Sequence, residues 1–424
     1  MKNILVFPCG SEIGLEIYRS LNCLKEVSLY GGSSVDDHGK FCYKKYFDGI
    51  PYITEPTCIY ALAEIVLKYQ IDAIYPATDL AVNILKRNEK LLGCNVISSK
   101  LETTEVCLSK EMTYKLLKDL VLTPKVFEEP IIQFPVFAKP KIGYGSRGAK
   151  KIGNSNALEA HLNEFANCII TEYIPGIEYT VDCFTNFKGE LQFIMPRERA
   201  RILNGISVST SSYLNNRYEF ETFANKINGV LEFSGAWFFQ VKRNNSGELV
   251  LLEIASRFGG SSSLWKAKGI NLPLLSIFNN FKIEVKFIEN QFYVEMDRSL
   301  NNSYYLDFVY KHLFIDFDDC LLLGNRINLN AIRLIYQSIN NEINVHLITR
   351  HKKEDLVTTL KKYKIFELFD SIIHLKNGEL KSDYIHHKDA IFIDDSFKER
   401  HSVYVNNGIP TFGPESITCL LNEE

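Results

Sequence analysis

At 424 residues the chain is too long for one ordinary core, and at roughly 150 residues per domain it is expected to form about three units. Its 46% hydrophobic and 23% charged residues mark a globular protein, and a net charge of -3 supplies no cationic field for a phosphodiester backbone, which argues against nucleic acid as a partner. No apolar segment approaches the ~20 residues needed to span a bilayer, and the apolar run in MKNILVFPCGSE is too short for a signal-peptide core, so no membrane partner is expected and the location is expected to be cytoplasmic. The ten cysteines stand singly without a C-x-x-C pair, which suits reduced thiols better than zinc or a redox dithiol.

In chain order, NILVF at 3–7, the turn PCGSEIG and the amphipathic LEIYRSLNCL predict strand, glycine turn and helix. EVSLYGG, YALAEIVLKYQ, IDAIYPATD and LAVNILKRNEKLLG continue the alternation, the pattern of a parallel sheet covered on both faces. Residues 1–105 are therefore expected to form one doubly wound α/β domain. From 106 to 285 the texture becomes α+β: a helix is predicted to start near Ser109 and Lys110, followed by strands in FPVFAKP, CIITEYI and YTVDCFT with glycine loops between them. Residues 286–310 read as a strand-containing connector. At 311 a second α/β pattern begins, with HLFIDFDDC, VHLITR and AIFIDDS each ending an apolar strand in polar groups. In an open parallel sheet that edge is where ligands bind.

Lys139 closes the apolar strand FPVFAKP, and the loop Gly143, Tyr144, Gly145, Ser146, Arg147, Gly148 follows. A half-buried ammonium needs an anion, and glycines let backbone N–H groups approach phosphate oxygens. Alone, the pair is equally well a solvated hairpin. Further on, IITEYIPGIEYTVD places Glu172, Tyr173 and Ile174 at a strand end before Gly176 and Glu178, and LLEIASRFGG places Glu253 and Arg257 on a strand and its exit.

Lysine strand, glycine loop, E-Y-I-P-G-x-E hinge and E-I-x-x-R-x-G-G together resemble the ATP-grasp superfamily, in the branch of carbamoyl-phosphate synthetase and the amino-acid ligases. The resemblance covers residues 1–285, with 1–105 similar to that family's pre-ATP-grasp domain. It implies an ATP-dependent carboxylate–amine ligase in which Lys110 and Lys139 hold phosphates and the loop with Gly143, Gly145 and Ser146 closes over them. Glu172, Tyr173 and Ile174 would meet adenine, and Glu178 the ribose. Gln240 and Glu253 would hold Mg²⁺, and Arg257 would neutralise the transferring phosphoryl group. Ala255 departs from the pattern, since many members carry asparagine two positions after the metal-binding glutamate. The variation tilts the expected substrate toward amino acids, and it also keeps open a nucleotide-binding sensor or scaffold without ligase turnover.

In the C-terminal region Asp316 and Asp318 lie two apart at a strand end, Thr349 closes VHLIT, Lys381 lies in GELKSDYI, and Asp394 and Asp395 end IFIDDS. Clustered acids repel unless a cation joins them. This ordered set resembles the haloacid-dehalogenase-like (HAD-like) hydrolases, whose fold is Rossmannoid. The resemblance implies Asp316 as nucleophile, Asp318 as acid and base, Thr349 and Lys381 on the phosphoryl oxygens, and Mg²⁺ held by Asp316, Asp318 and Asp394 or Asp395. The span from Asp316 to Thr349 has no room for a large cap. Expected partners are thus ATP, a small carboxylate and an amine, and a phosphorylated small molecule at 311–424, with a homodimer left open.

Overall fold

The structure, a computed structural model, describes residues 1–424 except 23, 129, 130, 132, 144–146, 204, 214, 291, 300–303, 305, 307, 353, 354, 423 and 424. It forms two compact units, Met1–Leu300 and Asn301–Glu424.

The first unit opens with a five-stranded parallel sheet of β1 (Lys2–Phe7), β2 (Val27–Gly32), β3 (Tyr46–Phe47), β4 (Ala73–Pro76) and β5 (Asn95–Val96) in the order β3-β2-β1-β4-β5. Ile4, Leu5 and Val6 are fully buried because helices cover both faces, which explains the unbroken apolar run. Strand order reverses between β1 and β4, and the helices leaving these two strands are capped by Ser11 and Thr78, whose side chains accept from Gly14 N and Ala81 N. The crevice at such a reversal is the place where a doubly wound sheet holds ligands.

A small antiparallel sheet follows, β6 (Val136–Pro140), β7 (Lys150–Ile152) and β8 (Cys168–Glu172) in the order β7-β6-β8. A six-stranded sheet then runs β13-β12-β9-β10-β11-β14, from β9 (Glu178–Thr185), β10 (Leu191–Leu203), β11 (Ile206–Ser212), β12 (Gly235–Arg243), β13 (Leu249–Ala255) and β14 (Glu295–Asp297). On β12, Trp237, Phe239 and Val241 enter a core with Phe220 and Phe223 of the helix Arg217–Asn228, while Gln240 and Lys242 alternate to the other face. The ladder between β12 and β13 slips between Gln240 and Val241: Gln240 pairs with Glu253 and Val241 with Leu251, so Leu252 is an extra residue, a β-bulge.

Residues 1–105 and 106–285, expected as separate domains, share one apolar core in which Ile4, Val6 and Ile17 lie in the same cluster as Phe184, Trp265 and Ile277. Part of the expected connector belongs to the same unit, because β14 pairs with β11.

The second unit is a five-stranded parallel sheet of β15 (His312–Ile315), β18 (Asn344–Thr349), β19 (Ser371–His374), β20 (Ala390–Ile393) and β21 (Thr411–Phe412), ordered β19-β18-β15-β20-β21. Between β15 and β18 stand only the hairpin of β16 (Leu322–Leu323) and β17 (Arg326–Ile327) and the helix Leu329–Asn340. Among the described residues, no helix of the chain is long and apolar enough to cross a membrane.

Candidate functional site

One cleft of the first unit is lined by Lys110, Lys139, Gly143 and Glu178, and on its other side by Gln240, Glu253 and Arg257. Antiparallel pairing sets Gln240 opposite Glu253, and β9 sets Glu178 opposite Lys242, so period-two alternation brings these polar groups to one face. The Lys110 ammonium lies 4.0 Å from Glu253 and donates to the Gly143 carbonyl at 3.4 Å.

Lys139 is only 7% exposed, and the hydrogen-bond partners of its ammonium are neutral: Tyr114 Oη at 2.6 Å and the Leu252 carbonyl at 3.0 Å. Tyr114 also donates to that carbonyl, at 2.7 Å. The bulge makes this possible, because an extra residue in one strand leaves the ladder and can aim its carbonyl elsewhere. Burial pushes the Lys139 ammonium down from 10.5 to about 8; Lys110 pushes the same way, and Glu253 and Glu178 oppose it. A buried cation without a contacting carboxylate is a demand for an anion.

Arg257 leaves β13 and donates from Nε and Nη2 to Asp79 Oδ1 and Oδ2 at 2.8 and 2.7 Å. Asp79 opens the helix after β4, at the strand-order reversal, and also lines the cleft. Arg199 joins the cleft from β10, donating to Glu178, to Gln240 Oε1 at 2.7 Å and to the Gly205 carbonyl at 2.9 Å, while its buried Nε has no partner among the described residues. Glu253 is 37% exposed, and Gln240 keeps a second lone pair beside the one given to Arg199, so hard-cation ligands are available at this wall. Ala255, where an asparagine was expected, is buried in the same lining and offers no oxygen from its side chain.

The expected adenine segment lies elsewhere in the neighbourhood. Glu172 accepts from Lys125 N at 2.9 Å, Tyr173 carries the Lys151 ammonium 4.1 Å from its ring centroid, and the Ile174 side chain is buried; none of the three lines the cleft. Gly145 and Ser146 lie outside the described residues.

In the second unit, β15, β18 and β20 deliver Asp316, Thr349 and Asp394 at their C-terminal ends. Lys381 is wedged between two carboxylates, 2.7 Å from Asp316 and 2.6 Å from Asp394, and all three are buried. Burial and the neighbouring Asp394 push Asp316 up to about 6 against the pull of Lys381, and burial raises Asp394 as well. Asp316, Cys320 and the exposed Asp395 bring ligand atoms within 4.8 Å of one another. Burial pushes the Cys320 thiol up strongly, and the hard oxygens of that group belong to its two carboxylates. Asp318, expected among the metal ligands, stands outside it: its carboxylate is 2.9 Å from His351 Nδ1.

Asp79, Tyr114 and His351 join these sites without standing in any of the motifs above. Asp79 ends the strand run IDAIYPATD in a polar group, the same signal that marks Asp316 and Asp394.

Residues 164–299 match the family model described as ATP-grasp in the biosynthetic pathway with Ter operon. A search of curated proteins finds no matching sequence. Among solved structures, the biotin carboxylase domain of Hydrogenobacter thermophilus 2-oxoglutarate carboxylase, in complex with MgADP, ADP and bicarbonate, superposes with a TM-score of 0.57 at 16% identity over 69% of this chain and 73% of that one. An L-amino acid ligase from Bacillus licheniformis gives 0.56 at 15% identity over 66% and 74%, and N5-carboxyaminoimidazole synthetase from Staphylococcus aureus 0.54 at 14% over 67% and 78%. Together with the cleft geometry, these likenesses identify an ATP-grasp fold in this chain.

Proposed function

We propose that the first unit is an ATP-dependent, ADP-forming carboxylate–amine ligase acting on an amino acid or related small carboxylate, and that the second is a Mg²⁺-dependent phosphatase with an aspartate nucleophile. The observation that carries the ligase reading is Lys139, a buried ammonium without a contacting carboxylate among the described residues, in a cleft that also holds Lys110, Arg199 and Arg257. A triphosphate satisfies that set. The solved relatives with bound MgADP and ADP support the same nucleotide and cation.

In this reading Lys110 and Lys139 hold phosphate oxygens, with Gly143 in the loop above them. Glu178 meets the ribose, and the adenine extends past the cleft lining toward the neighbouring segment of Glu172, Tyr173 and Ile174. Glu253 and Gln240 would hold Mg²⁺, which when bound neutralises phosphate charge. A carboxylate cannot expel oxide, so its oxygen first takes the γ-phosphoryl group, and the amine then displaces phosphate from the mixed anhydride. Arg257, oriented by Asp79, stabilises the charge spread over the transferring group. Ala255 removes one oxygen from the metal wall and favours a second reading, a nucleotide sensor without turnover.

The buried trio Asp316, Lys381 and Asp394 at parallel strand ends supports the phosphatase reading. Asp316 attacks phosphorus, and the departing oxygen takes a proton from Asp318. Asp318 then removes a proton from the water that hydrolyses the aspartyl-phosphate. Thr349 and Lys381 hold phosphoryl oxygens, and Asp316 with Asp395 and Asp394 would hold Mg²⁺, which when bound screens the phosphate charge. Incubation with MgATP and a panel of amino acids and carboxylates tests the ligase: substrate-dependent ADP with a new amide mass supports it, and nucleotide binding without turnover across the panel favours the sensor.

A further inference from the structure

Resting on the phosphatase reading, we propose that His351 is a positioning residue that holds the Asp318 carboxylate where it can hand a proton to the leaving group of an alkyl phosphate. His351 is 4% exposed and lies just beyond β18, two residues after Thr349. Its Nδ1 stands 2.9 and 3.1 Å from the two carboxylate oxygens of Asp318. Its backbone N–H donates to Thr349 Oγ1 at 3.2 Å, and its carbonyl accepts from His374 Nε2 at 2.8 Å. The Phe317 ring meets the imidazole edge-on, with centroids 5.1 Å apart and planes at 88°.

The imidazole is therefore fixed by its backbone bonds and by an aromatic neighbour, and among the described residues Asp318 is its side-chain hydrogen-bond partner, since Nε2 is buried without one. The tautomer with its hydrogen on Nδ1 leaves no buried N–H unsatisfied, because that hydrogen is donated to Asp318. Asp318 itself is 31% exposed, so without this bond its carboxylate would sample other staggered rotamers. The same residue bonds Thr349 through its main chain, so it ties the proton donor to a group expected on the phosphoryl oxygens.

An alkoxide cannot depart unprotonated, whereas nitrophenolate can. Loss of correct Asp318 placement should therefore slow alkyl phosphates far more than activated aryl phosphates, a difference that general structural damage does not produce. The experiment compares the full-length protein with Asp316→Asn, His351→Phe and His351→Asn variants, using glycerol 2-phosphate and p-nitrophenyl phosphate with Mg²⁺. The expected result for His351→Phe is a fall in kcat/KM of about thirtyfold or more on glycerol 2-phosphate and under about threefold on p-nitrophenyl phosphate. His351→Asn, whose amide N–H can stand near the position of Nδ1, should restore the ratio of the two rates to within about threefold of the parent. Because that ratio does not depend on the folded fraction, partial unfolding of a variant does not obscure it. Equal losses on both substrates, or no loss, would overturn the assignment while leaving the phosphatase intact. Absence of Asp316-dependent hydrolysis in the parent protein would overturn the phosphatase reading itself and His351 with it.

Discussion

Arg257 and Asp79 meet in a two-pronged hydrogen bond, 2.8 Å from Nε and 2.7 Å from Nη2, that fastens the exit of β13 to the helix following β4. A planar guanidinium held by both prongs has one orientation, and a bidentate contact of this kind places charge more sharply than a lone ammonium could. Asp79→Asn keeps the size and loses one accepting oxygen. ADP formation should fall roughly tenfold to a hundredfold in kcat while the dissociation constant for MgATP stays within about threefold, as a coupled ADP assay beside calorimetry would report. Parallel loss of binding and turnover would argue against a role confined to orienting Arg257.

Lys139 makes nucleotide affinity depend on pH. Its ammonium deprotonates near 8 in the empty cleft because burial penalises the charge, and a bound polyphosphate favours the charged form and raises that value. Binding above about pH 8 must then take up a proton. Affinity should be level below that pH and weaken above it, by up to about tenfold per unit. Lys139→Met should bind weakly with a flat profile, and calorimetry from pH 6.5 to 9.5, roughly spanning the transition, would measure both.

The two chemistries should separate by mutation and by chelation. Asp316→Asn is expected to abolish aryl phosphate hydrolysis and leave ADP formation unchanged. Chelation of Mg²⁺ should silence both activities without unfolding the second unit, because Lys381 already bridges the Asp316 and Asp394 carboxylates and offsets part of their repulsion. Circular dichroism in chelator that showed loss of structure would contradict this.

Asp182 carries a stability prediction. It is 1% exposed and accepts from Arg197 Nε and Trp265 Nε1 at 2.7 Å and from Ser262 Oγ at 2.5 Å. Asp182→Ala strands a buried guanidinium and should cost about 3–5 kcal/mol. Both tryptophans, Trp237 and Trp265, lie in the first unit, so tryptophan fluorescence during urea unfolding reports that unit by itself.

The legible parts of this chain were those with a strong local pattern. Continuous apolar runs such as NILVF and HLFI became central parallel strands, and the strands expected in FPVFAKP, CIITEYI and YTVDCFT stand as β6, β8 and β9. Ser109 caps the helix Lys110–Leu117 by accepting from Met112 N, at the position where the polar residue before an amphipathic run pointed. Seven of the expected ligase residues, among them Lys110, Lys139, Glu253 and Arg257, line one cleft, and for Glu178, Gln240 and Glu253 strand pairing fixes which way the side chain faces. Long-range partners were not legible. Nothing local connects Asp79 with Arg257 or Asp318 with His351, and the pairing of each follows only from how the sheets fold back. The division at 105 failed for the same reason: a core that gathers Ile4 and Trp265 into one cluster leaves no mark in either stretch of sequence.

The bulge at Leu252 has a consequence for how this site can vary. The anchor it gives Lys139 and Tyr114 is a main-chain oxygen, which every amino acid owns. Position 252 can therefore drift in residue identity without touching phosphate binding, whereas deleting that one residue would restore an even ladder and withdraw the oxygen even though Glu253 stayed opposite Gln240. Here the length of a strand is under tighter constraint than its spelling.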